Sequence, residues 1–121
     1  MNVAILGASN KPDRYSHKAI VLLAEKGHAV FPVHPILAEI DGRPVFKRLA
    51  DIAEPVHTVT MYVSAAHSAG LADALLAAKP ARVIFNPGTE NPELEDRLSA
   101  AGIDVVRACT LVLLRTGQFG A

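Results

Sequence analysis

Five short apolar runs, each followed by a polar turn and then a stretch with helical spacing, constrain this chain more than any other feature. Residues 3–6, 29–33, 56–63, 82–85 and 104–106 read as strands. Their residues are apolar in succession rather than in alternation, so both faces of the sheet must be covered. Strands of that kind, alternating with helices, make an α/β protein with a parallel sheet. Five strands predict a Rossmann-like, doubly wound sheet of order 3-2-1-4-5, with a ligand crevice at the carboxyl ends beside strand one.

The helices are marked by their ends. Ser16 reads as an N-cap and Gly27 as a stop, which predicts a helix over 17–26. Residues 46–53 predict a short helix and 66–78 a long one, rich in alanine and leucine. Asn91 before Pro92 is a helix start, and Glu93, Glu95 and Asp96 sit where the helix dipole favours negative charge. Residues 110–116 predict a closing helix, whose Leu111–Leu114 run suits either a core or a dimer face. Pro32 is the awkward residue. It cannot donate to a ladder, so it marks a strand end or a locally unpaired position.

At 121 residues the chain is one domain, residues 1–121, and half its residues are apolar. Twelve Lys and Arg balance twelve Asp and Glu. That neutrality argues against general nucleic-acid or membrane-surface binding, so any anion site must be local. The single cysteine, Cys109, cannot form an internal disulfide, and the first strand starts too early for a leader peptide. A cytoplasmic protein is the expectation.

Chemistry-bearing residues fall in four loops at the expected crevice, 7–16, 34–36, 63–66 and 86–91. In the first, a strand ends at Gly7-Ala8-Ser9 and a polar segment leads through Lys11 and Arg14 to a helix. A glycine turn feeding a helix start can cradle a phosphate. As a bare turn, Gly7 needs no ligand, and Lys11 and Lys18 individually suit a solvated surface. The dinucleotide pattern of three glycines is absent, and strand two ends in Val33-His34-Pro35, without the acid that holds a ribose. His34 reads equally as a turn-capping histidine or a ligand contact. Ser64 and Asn86 could bond a ligand or satisfy local backbone. Hydrolase parts are missing, and the five histidines show no metal-type spacing with Cys109. Cys109 itself suits a buried structural role better than an activated thiol.

These segments together, with Leu49-Ala50-Asp51-Ile52 before Glu54-Pro55-Val56 and with Asn86-Pro87-Gly88, resemble the small stand-alone CoA-binding domain proteins. They are also similar to the CoA-binding N-terminal domain of the succinyl-CoA synthetase alpha subunit. The resemblance spans about residues 2–118 and implies a fold that binds coenzyme A across the strand carboxyl ends. It implies that Gly7, Ala8, Ser9, Arg14, Tyr15 and Ser16 cradle phosphates. Val33, His34 and Pro35 would border the nucleotide, Val63 and Ser64 would line the crevice, and Asn86 would close its far side. The synthetase's phosphorylated histidine lies in a domain this chain lacks, so no ligase chemistry carries over. The expectation is a non-catalytic protein that binds CoA or an acyl-CoA, with no metal, acting as a homodimer or with another protein partner. The rival expectations are an NAD(P)-dependent oxidoreductase and an interaction module with a degenerate nucleotide pocket.

Overall fold

The structure, a computed structural model, describes residues 1–120. The chain begins with β1 (Asn2–Leu6), α1 (Tyr15–Glu25) and β2 (Ala29–Val33). A small hairpin of β3 (Glu39–Ile40) and β4 (Arg43–Pro44) follows, then a 3₁₀ turn at Leu49–Asp51. β5 (Thr58–Met61), α2 (Ala65–Ser68), α3 (Ala72–Ala78), β6 (Arg82–Phe85), α4 (Pro92–Ala100), β7 (Asp104–Arg107) and α5 (Thr110–Arg115) complete it. Every pairing in the five-stranded sheet is parallel. The Rossmann-like α/β class is therefore the one the apolar runs predict.

The strand order is not. The sheet runs β2-β1-β5-β6-β7, which is 2-1-3-4-5 when only its own strands are counted, in place of the expected 3-2-1-4-5. Pro32 supplies the physical reason. Its carbonyl accepts from the Phe46 amide at 2.9 Å, on the side of β2 away from β1. In a parallel strand the amide of the same residue faces the same way, and proline has none to give. A further strand cannot pair fully there, so β2 is an edge. Among the described residues, a single bridge from Val33 to Phe46 covers it.

Alternate residues of each strand enter two separate cores. Ala4, Leu6, Val59, Met61, Val83 and Phe85 face Leu75, Leu94 and Leu98 of α3 and α4. Val3, Ile5 and Ile84 face Ile20 and Leu23 of α1 and Leu114 of α5. Leu111 and Leu114 are both 3 % exposed, so those two leucines serve the core. The hairpin is closed by Asp41 and Gly42, with φ of +51° and +78°, as a two-residue turn of this hand requires. Nε2 of the buried His17, on α1, lies 2.7 Å from Asp41 Oδ2 and holds the hairpin against the helix.

Three local expectations change. α1 starts at Tyr15, with Arg14 as an N-cap lacking a side-chain bond, so Ser16 is a buried helical residue rather than the cap. The long helix expected over 66–78 breaks into α2, a 3₁₀ turn at Ala69–Leu71, and α3. Gly70, the weakest helix former of that run, lies in the break. The 46–53 segment keeps only its 3₁₀ turn. The α4 start is as read: Asn91 accepts from the Leu94 amide at 3.2 Å with Pro92 in the first turn.

Gly7 follows β1 with φ +87°, and a Cβ there would stand 2.7 Å from the Tyr62 carbonyl oxygen. Gly7→Ala should cost about 2–5 kcal/mol in chemical denaturation, combining left-handed strain with a backbone clash. Glu95 ties the start of α4 to β7. Arg107 donates to both its oxygens, at 2.7 and 3.1 Å, and the Asn91 amide donates at 2.9 Å. These bonds, the Arg107 bond foremost, hold the Glu95 carboxyl below the usual carboxylate range against the opposing effect of burial. A lowered carboxylate adds stability above its unfolded pKa and loses it as the pH falls through the folded one. Glu95→Gln should therefore lower the Tm at neutral pH, with the gap to the parent closing below about pH 4.

Candidate functional site

β1 and β5 are neighbours whose following connections leave in opposite directions, which makes the gap between them the switch point of the sheet. A cleft of about 630 Å³ opens there. Gly7 to Lys11 and Arg14 to Ser16 form one wall, His34, Pro35 and Leu37 a second, and Tyr62, Val63 and His67 a third. A second lobe of about 440 Å³ joins it and shares Gly7, Pro35, Val63 and His67. Its interior is aliphatic, with Leu6, Val33, Leu49, Leu71 and Leu75, and Lys47 and Arg48 also line it.

The first wall presents positive groups to the cleft. Ala8 is tied to β2 by its amide bond to the Val33 carbonyl at 3.2 Å. The Ser9 hydroxyl accepts from the Lys11 amide at 3.1 Å, and the Arg14 amide closes a turn on the Lys11 carbonyl at 3.0 Å. The loop is thereby folded back so that α1 begins at the cleft. The unpaired amides of its first turn carry the positive end of the helix dipole. Lys11 and Arg14 add full charges. Lys18 stands instead over the Tyr15 ring, 5.4 Å from its centre, and does not line the cleft. Among the described residues, the lining of both lobes holds Lys11, Arg14, Lys47 and Arg48 and no carboxylate.

Of the residues expected at a site, Gly7, Ala8, Ser9, Arg14, Tyr15, Ser16, His34, Pro35 and Val63 line the first lobe together, and Val33 lines the second. Ser64 is set aside from both. Its hydroxyl caps α2 by accepting from the His67 amide at 3.4 Å and lies 3.0 Å from His67 Nδ1. Asn86 is buried beneath the sheet end with its amide fully engaged by the protein. It donates to Thr60 Oγ1 at 2.7 Å and to the Met61 carbonyl at 2.8 Å, and it accepts from the Thr110 amide at 2.9 Å. Cys109 is a half-buried N-cap of α5.

Sequence reading missed Leu37, His67, Lys47 and Arg48. Tyr62, at the Tyr62-Val63-Ser64 strand end that the sequence places at the crevice, does line the first lobe. Burial pushes its phenol up to about 12, against the pull of the Thr110 and Thr60 hydroxyls, so it stays neutral at physiological pH. Among the described residues its hydroxyl has no partner of hydrogen-bonding geometry. Lys47 and Arg48 lie in the irregular stretch before β5, where no periodicity says which way a side chain is carried.

Residues 1–115 match the family model of the CoA binding domain. The chain belongs to the CoA-binding domain family. It is similar to a crystal structure of an uncharacterized protein at 41 % identity and a TM-score of 0.92, covering 98 % of this chain and 97 % of that one. It is 26 % identical over 104 residues to the uncharacterized protein YneT of Bacillus subtilis, spanning 86 % of this chain and 77 % of YneT. At the level of fold alone, 88 % of it matches 25 % of the dinucleotide-forming acetyl-coenzyme A synthetase 1 of Ca. Korarchaeum cryptofilum, with a TM-score of 0.77 and 21 % identity. Among the described residues no helix is long and apolar enough to cross a membrane.

The engagement of Asn86 has a measurable consequence. Asn86→Ala leaves two buried acceptors short of a donor and the buried Thr110 amide without an acceptor. It should lower unfolding free energy by about 2–4 kcal/mol, read by urea denaturation. Unchanged stability would show that the network is idle.

Proposed function

We propose that this chain binds coenzyme A or an acyl-CoA across the carboxyl ends of β1, β2 and β5, as a cytoplasmic protein without catalysis of its own. Membership of the CoA-binding domain family supports the ligand class. The observation that carries the finer reading is the charge of the cleft: four cations and no carboxylate in a chain whose formal net charge is zero. CoA presents a pyrophosphate and a separate 3′-phosphate joined through an adenosine. The Gly7–Ser9 turn, Arg14 and the start of α1 suit the pyrophosphate. The aliphatic second lobe suits the adenine, and Lys47 and Arg48 suit the 3′-phosphate beside it. Arg48 is partly engaged with Asp51 at 3.1 Å, which leaves Lys47 the freer of the two. An NAD(P) reading lacks support at the end of β2, where Val33, His34 and Pro35 offer no acid to a ribose.

Calorimetry with CoA, dephospho-CoA, NAD and NADP tests this. CoA should bind most tightly. Dephospho-CoA and the Arg14→Ala variant should each bind about ten- to a hundredfold more weakly, the scale of a lost charge-assisted contact. Tighter binding of NAD or NADP than of CoA, or no CoA binding at millimolar concentration, would refute the proposal.

A further inference from the structure

His34 is engaged on one side of its ring and open on the other. Its Nδ1 lies 3.0 Å from the Ile36 amide nitrogen and 3.0 Å from that of Leu37. Two N–H donors converging on one ring nitrogen require a lone pair there, so the ring is neutral and carries its proton on Nε2. This is the pattern of an Asx turn, in which a side-chain acceptor gathers the amides that follow it, with an imidazole in the acceptor's place.

Leu37 packs against the core on the α1 side of the sheet, but little main-chain bonding fixes the lip at 35–37. Those residues make no other main-chain hydrogen bond among the described residues. Ile36 is 81 % exposed and contributes little burial. Yet Pro35 lines both lobes of the cleft and Leu37 lines the first. The main-chain hydrogen bonding of the lip at the end of β2 therefore depends on the Nδ1 lone pair.

We infer that His34 is a proton-sensitive positioning residue, which holds the cleft lip while neutral and releases it when protonated; the ligand readout of this inference rests on the proposed CoA site. A proton taken from solvent onto Nδ1 turns the shared acceptor into a donor. Both bonds to Ile36 and Leu37 are then lost. The ionisable groups around the cavity are Lys11 and Arg14 on the first loop, Tyr15 on α1, Tyr62 and His67 beyond β5, and Lys47 and Arg48 before the 3₁₀ turn. None is a carboxylate that would offset the released bonds by pairing with the imidazolium.

The test separates the lip from the ligand. Amide hydrogen exchange of the ligand-free protein should show Ile36 and Leu37 protected at neutral pH and exposed in mild acid. His34→Asn should keep that protection at both pH values, because an amide oxygen restores the acceptor without titrating, whereas His34→Leu should lose it at both. CoA affinity should follow the same order: roughly tenfold weaker in mild acid for the parent, weak throughout for His34→Leu, and pH-independent for His34→Asn. His67→Gln, which removes the cleft's other imidazole, should retain the parent's acid sensitivity. Lip protection that ignores both pH and the identity of residue 34 would overturn the inference. Protection that behaves as described in a protein that fails to bind CoA would overturn only the proposed ligand.

Discussion

The close approach of Gly7 to the Tyr62 backbone and the Val63 side chain governs the functional end of the molecule. β1 and β5 run side by side, and their chains must part at the carboxyl edge without being pushed away from each other. A side chain at position 7 would meet the Tyr62 carbonyl oxygen at 2.7 Å and Val63 Cγ1 at 2.9 Å. With hydrogen alone there, the Tyr62 amide can bond the Leu6 carbonyl at 2.8 Å, which carries the ladder to the mouth of the cleft. The glycine admits the neighbouring strand first, and room for an anion follows from that close approach.

Behind this edge, polar groups are distributed with a clear division. Thr60, Asn86 and Thr110 are all buried and bonded to one another, tying β5, β6 and the start of α5 beneath the cleft. Above them, the groups that line the cavity are less engaged: the first-turn amides of α1, the side chains of Lys11 and Arg14, and the distal nitrogen of His34. A rigid, satisfied floor under donors left open is the arrangement a preorganised anion site needs.

Much of this was legible from the residues, and the failures have specific causes. The first loop was identified because a glycine turn, its cations and a helix start adjoin in sequence. Asn86 and Ser64 stand at strand ends, where each can serve either a ligand or the local backbone. Their hydrogen-bond partners, Thr60, Met61 and Thr110 for one and His67 for the other, show that the protein itself engages both. Pro32 carried the information that its strand is an edge, and the 3-2-1-4-5 order conflicted with it by placing that strand inside the sheet. The break at Gly70 was hidden by the alanine and leucine around it.

By itself, the sequence determined a parallel α/β sheet with two apolar faces and a glycine turn with Lys11 and Arg14 after the first strand. Those properties are local, set by apolar spacing, by helix ends and by the backbone freedom of a glycine. Only the tertiary structure decided the strand order, the joining of the two lobes, the placing of Lys47 and Arg48 beside the second, and the lone pair of His34 as the support of the lip. These depend on which hydrogen-bonding groups find partners among residues distant in the chain, and a donor's availability is a property of its surroundings rather than of its residue type.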